Sequence, residues 1–142
     1  MYRKILVALE NSQADKTLVP HVTELARHLR SQLLLVHVAD GWVARNVNEL
    51  ELRESQEIRE DRAYLEAVCG RLEAEGFDAE AVLAGGEPAK EIAAAAERER
   101  CDLIAMATHG HRLLEDVVKG STATALRHLT KIPVLMVRTD QK

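Results

Sequence analysis

The chain has 142 residues and carries 19 Lys and Arg against 23 Asp and Glu, for a formal net charge of −4. This length predicts one domain, spanning residues 1–142, that can bury a single hydrophobic core. Because the basic residues are scattered along an acidic chain, the composition argues against a general nucleic-acid-binding surface.

The first part of the chain predicts a buried strand followed by a helix. Ile5 to Leu9 is a continuous apolar run, which is typical of a strand covered on both faces in a parallel sheet. Ser12 and Asp15 resemble a capping box at a helix start. Pro20 predicts either a kink or a helix that becomes regular only from that residue. The apolar stripe of this helix is Leu18, Val19, Val22, Leu25, Ala26 and Leu29.

The middle of the chain predicts two more strands around a long charged helix. Leu33 to Val38 is a second apolar run of the buried-strand type. Asn48 to Glu75 is highly charged and predicts a surface helix that ends at Gly76. Asp78 to Leu83 predicts a third strand at an edge of the sheet. The inner stripe of the charged helix is Ile58, Leu65, Val68 and Leu72.

The last part of the chain predicts two more helices and two more strands. A helix is expected to begin at Pro88, since proline is favoured at the first helical position. Asp102 to Ala107 predicts the fourth strand, and Pro133 to Val137 predicts the fifth, with its proline at the permitted first position. The inner stripe of the last helix is predicted to be Ala125, Leu126 and Leu129.

The alternation of strands and helices predicts an α/β fold. Five strands separated by four helices indicate a single doubly wound, five-stranded parallel sheet of the Rossmann-like kind, with helices on both faces. Ligands of such sheets bind beyond the carboxyl ends of the strands, where the strand order reverses. We therefore expect a site after the first and fourth strands.

Two short clusters after the predicted fourth strand are typical of an anion site. Ala107-Thr108-His109-Gly110 closes the strand, and Gly120-Ser121 opens the last helix. Glycine lets bare backbone approach a ligand, and a helix N-terminus directs N–H groups at phosphate. The alternative is a loop glycine with an ordinary helix cap.

The cysteines and the N-terminus indicate a cytoplasmic protein. Cys69 and Cys101 match no metal or redox spacing, which favours buried thiols in a reducing compartment. The apolar run that follows Arg3 and Lys4 is too short for a signal peptide or a membrane span. We expect a cytoplasmic location without membrane insertion.

Six segments, taken in order, carry a family resemblance: Lys4-Ile5-Leu6-Val7, His37-Val38, Gly86-Glu87-Pro88-Ala89, Ala107-Thr108-His109-Gly110, Gly120-Ser121 and Ile132-Pro133-Val134-Leu135-Met136-Val137. Together they resemble the universal stress protein family over nearly the whole chain. The resemblance implies the adenine nucleotide alpha hydrolase-like form of the fold.

The resemblance also implies an ATP site. The ATP-binding branch of the family has a glycine, two residues, a second glycine, nine residues, and a glycine followed by Ser or Thr. In this chain Ala107 replaces the first glycine, whereas Gly110 and Gly120-Ser121 match the rest. Members of the family place an Asp near the adenosine after the first strand, where this chain has Glu10.

The residues implied for nucleotide binding come from both ends of this site. Ala8, Leu9 and Val38 would flank the adenine, or they are ordinary core residues. His109 would contact the nucleotide, or it orients the loop. His37 is expected to be a core histidine with satisfied hydrogen bonds. The full implied set is Ala8, Leu9, Glu10, Val38, Met106, Ala107, His109, Gly110, Gly120, Ser121 and Thr122. The last four of these residues would bind the phosphates.

The leading functional prediction is an ATP-binding regulatory protein of the stress response. Mg²⁺ would accompany ATP, held mainly by the nucleotide and water, and no residue set predicts a protein metal site. No catalytic triad and no lysine-containing phosphate loop is evident, so at most slow ATP hydrolysis is expected. The family resemblance implies a homodimer through the last strand. We also expect an interaction with an unidentified protein partner. The alternatives are a nucleotide-free dimeric interaction protein and a slow ATPase.

Overall fold

The computed structural model describes residues 1–40, 56–109 and 122–139. Within these residues strands and helices alternate along the chain, as the sequence predicts. The strands are β1 (Lys4–Ala8), β2 (Gln32–Asp40), β3 (Ala79–Gly86), β4 (Leu103–His109) and β5 (Val134–Thr139). The helices are α1 (Asp15–Leu29), α2 (Gln56–Ala74), α3 (Pro88–Arg98) and α4 (Thr122–Leu129).

The strands form one parallel sheet in the order β3-β2-β1-β4-β5. Residue Leu6 of β1 pairs with Leu34 of β2 on one side and with Ile104 of β4 on the other. The chain thus grows outward from β1 through β2 and β3 and then returns to the other side of β1 with β4. This reversal confirms the doubly wound fold and places β3 at an edge, as predicted.

Two hydrophobic clusters cover the two faces of the sheet. Ile5 and Val7 of β1 pack with α1 and α2, whereas Leu6 and Ala8 pack with α3 and α4. Successive residues of a strand point to opposite faces, so a continuous apolar run is what a sheet covered on both sides requires. The alternation of side-chain direction along each strand therefore requires a layer of helices on each face of the sheet.

The start of α1 differs from the capping box expected at Ser12 and Asp15. The Asp15 carboxylate accepts the backbone N–H groups of Glu10 and Asn11 instead of that of Ser12. The helix begins at Asp15, before Pro20, so the expectation of a helix that is regular only from Pro20 is wrong. Pro20 is exposed, so water can satisfy the Lys16 carbonyl that its missing N–H leaves free.

The helical stripes are confirmed except at the last residues of α1 and α4. The predicted inner residues of α2 are all buried. In α4, however, Leu126 is fully buried while Leu129 is 46% exposed, and Leu29 at the end of α1 is 38% exposed. Both exposed leucines are the final residues of their helices, where the chain turns back toward the next strand. The predicted stretch 48–55 of the charged helix lies outside the described residues.

The two cysteine thiols differ in burial. Cys101 is buried and burial raises its pKa to about 11, whereas Cys69 is only partly buried, contrary to expectation. Burial raises the pKa of the Cys69 thiol as well.

In the part of the chain that is described, no helix is long and apolar enough to cross a membrane.

Candidate functional site

A cavity of about 300 Å³ lies at the carboxyl edge of the sheet, where the strand order reverses between β1 and β4. Its walls come from the ends of β1, β2 and β4 and from the first residues of α3 and α4. It is lined by Ala8, Leu9, Glu10, Val36, His37, Val38, Pro88, Ile92, Met106 and Thr122. Most of this lining is apolar, as is usual in small-molecule sites.

Six of the residues implied by the sequence line this single cavity: Ala8, Leu9, Glu10, Val38, Met106 and Thr122. Ala107 does not, because it is buried on the opposite face with the α1 and α2 cluster. Met106 and Ala107 are neighbours on a strand and therefore point to opposite faces. A methyl group at position 107 is thus accommodated by the core, away from the cavity.

The phosphate half of the implied site is only partly described. His109 is the last residue of β4, where it pairs with Thr139 of β5. Gly110, Gly120 and Ser121 lie outside the described residues. Thr122, the first residue of α4, lines the cavity, so the connection 110–121 begins and ends at elements that border it.

Sequence reasoning did not select Val36, His37, Pro88 and Ile92 as site residues. Val36 was hidden within an ordinary apolar strand. Pro88 offered a usable signal, because it opens a helix directly after a strand, at the edge where ligands of such sheets bind. Ile92 lies four residues later, on the same face of that helix.

Glu10 stands at the border of two cavities. It lines the 300 Å³ cavity and also an open groove of about 1030 Å³ between α1 and α2. Its side chain is exposed, and its Oε1 accepts the Ser12 hydroxyl at 3.0 Å. The groove is larger and is lined by several charged residues, whereas the smaller cavity has mostly apolar walls, as small-molecule sites usually do.

Asp15 organises the turn between β1 and α1. It is only 2% exposed, and its two carboxylate oxygens accept the backbone N–H groups of Glu10 at 2.9 Å and Asn11 at 2.8 Å. The Tyr64 hydroxyl of α2 donates to the same carboxylate at 2.6 Å. Burial, followed by this hydrogen bond, raises the pKa of Tyr64, and the protonated hydroxyl is the donor to Asp15. Asn11 has a φ of 59°, which is a left-handed conformation that Asn tolerates.

His37 connects the cavity to α2. Its Nδ1 lies 2.9 Å from the Leu9 carbonyl oxygen, and its Nε2 lies 3.2 Å from Oδ2 of Asp61. The other oxygen of Asp61 accepts the side-chain amide of Asn11 at 2.9 Å. His37 therefore has satisfied hydrogen bonds, as expected, but it also forms part of the cavity wall.

The described residues offer one carboxylate at the cavity, that of Glu10. In the ranges 1–40, 56–109 and 122–139, no group of three or more His, Cys, Asp or Glu residues is arranged to hold a metal ion.

The sheet order and the cavity at its reversal define the chain as a doubly wound α/β protein of the Rossmann-like kind. The family model described as the universal stress protein family matches residues 1–138. The chain belongs to the universal stress protein family.

Universal stress protein MJ0577 is similar to the chain in both sequence and structure. Universal stress protein MJ0577 of Methanocaldococcus jannaschii is 26% identical over 155 residues, covering 97% of this chain and 96% of the relative. The solved structure of MJ0577 matches with a TM-score of 0.79 at 28% identity, covering 100% of this chain and 99% of that one. Fold and length therefore agree from end to end.

Two more distant structures contain nucleotides. A universal stress protein in complex with cAMP matches with a TM-score of 0.74 at 19% identity, covering 97% of this chain and 98% of that one. The universal stress protein from Archaeoglobus fulgidus in complex with dAMP matches with a TM-score of 0.68 at 21% identity, covering 96% and 98%. At these identities the likeness demonstrates a common fold.

Proposed function

We propose that this protein binds an adenine nucleotide in the 300 Å³ cavity and acts as a nucleotide-dependent regulatory protein. The observation that carries the proposal is that residues from three separate strand ends and two helix starts, six of them implied by the sequence, line one apolar cavity at the strand-order reversal. The adenosine would occupy the cavity. The phosphates would extend toward the motif residues Gly110, Gly120 and Ser121.

ATP is the nucleotide favoured by the motif, since three of its four elements are present at the family spacing. Mg²⁺ would come with ATP and remain bound mainly by phosphate and water, which fits the single carboxylate that Glu10 provides among the described cavity residues. The complexes of distant family members with cAMP and dAMP support an adenine mononucleotide as the common part of the ligand. The cytoplasmic location stays a prediction.

Filling the cavity is expected to abolish nucleotide binding. Val38→Trp places a large ring among Ala8, Ile92 and Met106. We expect ATP and AMP affinities to fall at least about 100-fold, equivalent to about 2.7 kcal/mol, because the ring takes the space of the adenine. Isothermal titration calorimetry on the folded variant measures this loss.

Val82→Trp is the matched control for the cavity variant. Val82 packs against the same hydrophobic cluster but lies on β3, beside Val36, and is not among the residues that line the cavity. It should bind nucleotide as the wild type does. Equal affinities of wild type and Val38→Trp would rule out the cavity as the adenosine site.

Nucleotide retained through purification distinguishes the proposed function from its alternatives. Mass spectrometry of the denatured protein should detect ATP or AMP, whereas a nucleotide-free interaction protein yields none. A slow ATPase would release ADP on incubation with ATP and Mg²⁺. Chromatography of the nucleotides over several hours measures that activity.

The edge strand β5 supports a homodimer as the state in which the protein acts. β5 is the last strand of the sheet, and Met136 on it is 54% exposed. An uncovered apolar edge strand favours pairing with a second copy. The last strand is also the dimer interface that the family resemblance implies.

A charge on β5 is expected to disrupt this dimer. Met136→Asp should convert a dimer into a monomer in light scattering coupled to size-exclusion chromatography, because a buried unpaired carboxylate opposes association. Ala81→Asp, at an exposed position of the opposite edge strand β3, is the control and should leave the dimer intact. A wild-type monomer at all concentrations, or a dimer of Met136→Asp, argues against β5 as the interface.

A further inference from the structure

The turn that borders the nucleotide cavity is tied to helix α2 by a continuous polar network. Asp61 and Tyr64 lie three residues apart on α2 and therefore on one face of it. Asp61 bonds Asn11 in the segment between β1 and α1, and Tyr64 bonds Asp15, the first residue of α1. In the same segment, Leu9 and Glu10 line the cavity. This network joins elements that are distant in sequence.

Each residue of the segment 9–11 is held by a separate hydrogen bond. His37 bonds the Leu9 carbonyl, and Asp15 accepts the backbone N–H groups of Glu10 and Asn11. Three successive residues thus each have one backbone polar group bonded to a side chain. Such a pre-ordered wall lowers the entropy that ligand binding would otherwise lose.

Asp61 is the residue of α2 that contacts both His37 and Asn11. It is 8% exposed, and its two oxygens contact His37 at 3.2 Å and the Asn11 amide at 2.9 Å. Both contacts exist only while α2 stays packed beside the segment between β1 and α1.

We propose that Asp61 is a positioning residue of the nucleotide site: through His37 and Asn11 it fixes the segment 9–11, and with it Glu10, against the ligand. The inference rests on the proposed nucleotide binding and adds that nucleotide affinity depends on the position of α2 against the sheet. Coupling of this kind is reciprocal, so bound nucleotide also stabilises α2 against the sheet.

The test uses variants that break the network at different points. Asp61→Ala removes both contacts, and Asp61→Asn keeps the shape with one acceptor and one donor. Asn11→Gly removes the side chain that bonds Asp61 and keeps a residue suited to the observed φ of 59°. Asp102→Ala is the control, since Asp102 also accepts two successive backbone N–H groups, those of Arg3 and Lys4, at the opposite end of β1.

Two measurements separate positioning from a general loss of stability. Calorimetry with AMP should show about a tenfold loss of affinity in Asp61→Ala and Asn11→Gly, near-wild-type affinity in Asp61→Asn, and no loss in Asp102→Ala. Amide exchange of the free proteins should become faster in the segment 9–11 in Asp61→Ala. In a double-mutant cycle, Glu10→Gln should weaken binding in the wild type but have little effect in Asp61→Ala.

The outcomes distinguish this inference from the proposed function. If the wild type binds AMP and both Asp61→Ala and Asn11→Gly bind it equally well, Asp61 has no positioning role. The same conclusion follows if Asp102→Ala weakens binding as much, or if Glu10→Gln and Asp61→Ala are additive. A wild type that binds no adenine nucleotide overturns the proposed function, and the positioning role with it.

Discussion

Replacing Asp15 with alanine is expected to lower the free energy of unfolding by about 3 kcal/mol. The carboxylate is almost fully buried and accepts hydrogen bonds from two backbone N–H groups and from the Tyr64 hydroxyl. Its removal leaves three donors without their acceptor and also removes a negative charge from the first turn of α1. Urea unfolding followed by circular dichroism measures the change.

Asp102→Ala is the matched control for this loss. Its carboxylate accepts the backbone N–H groups of Arg3 and Lys4, but Arg3 is exposed, so water can replace the lost acceptor. We expect a change of about 1 kcal/mol. Equal losses in the two variants would mean that burial of Asp15 adds nothing, which would contradict its role as the centre of the turn.

The second large effect is expected at Leu126 of α4. Leu126 is fully buried in the cluster with α3, so Leu126→Ala should lower the free energy of unfolding by about 2 to 5 kcal/mol. α4 is a short helix that begins at Thr122, beside the cavity, and Leu126 is its only fully buried residue within the described part of the chain. Loss of this anchor should also weaken nucleotide binding. Urea unfolding and AMP calorimetry measure the two effects.

Leu129→Ala is the control that tests whether the loss of stability at Leu126 comes from burial, because it makes the same substitution at an exposed leucine of the same helix. Leu129 is 46% exposed, so the identical substitution should change stability by about 0.5 kcal/mol or less. Similar losses at both positions would indicate that Leu129 is covered in solution, for example by a second copy of the chain.

The fold was predictable because its signals are local and repeated. Continuous apolar runs such as Ile5 to Leu9 indicate strands covered on both faces, and the stripe in α2 indicates a helix covered on one. The errors in the helical stripes lie at the ends of α1 and α4. Leu129 continues the helical spacing, but the chain leaves α4 there, and spacing alone does not indicate where a helix loses contact with the sheet.

The candidate site was predictable only where a strand end or a motif marks it. Leu9, Glu10 and Met106 are implied by the family resemblance, and they lie at strand ends near the reversal, where ligands of such sheets bind. The Asp15 and Asp61 network did not follow, because its bonds join residues up to 50 positions apart and depend on how α2 packs. Ser12 and Asp15 show the same limit, since their spacing fits a cap while the carboxylate bonds the preceding turn.

Under the proposed function, nucleotide affinity and the packing of α2 would both depend on one short segment, residues 9–11. Glu10 lies where the apolar cavity meets the groove between α1 and α2, and its backbone is held by a carboxylate that α2 also contacts. A ligand in the cavity and a partner on α2 would therefore act on the same turn. This is a physical route by which nucleotide binding could control an interaction.

Calorimetric titration of the purified wild-type protein with ATP and Mg²⁺, with AMP titrated in parallel, tests the central claim most directly. The cavity at the strand-order reversal predicts saturable binding of one nucleotide per chain at submillimolar concentration, lost in Val38→Trp and kept in Val82→Trp. Absence of any heat or thermal shift at millimolar ATP and AMP would contradict nucleotide binding by this protein.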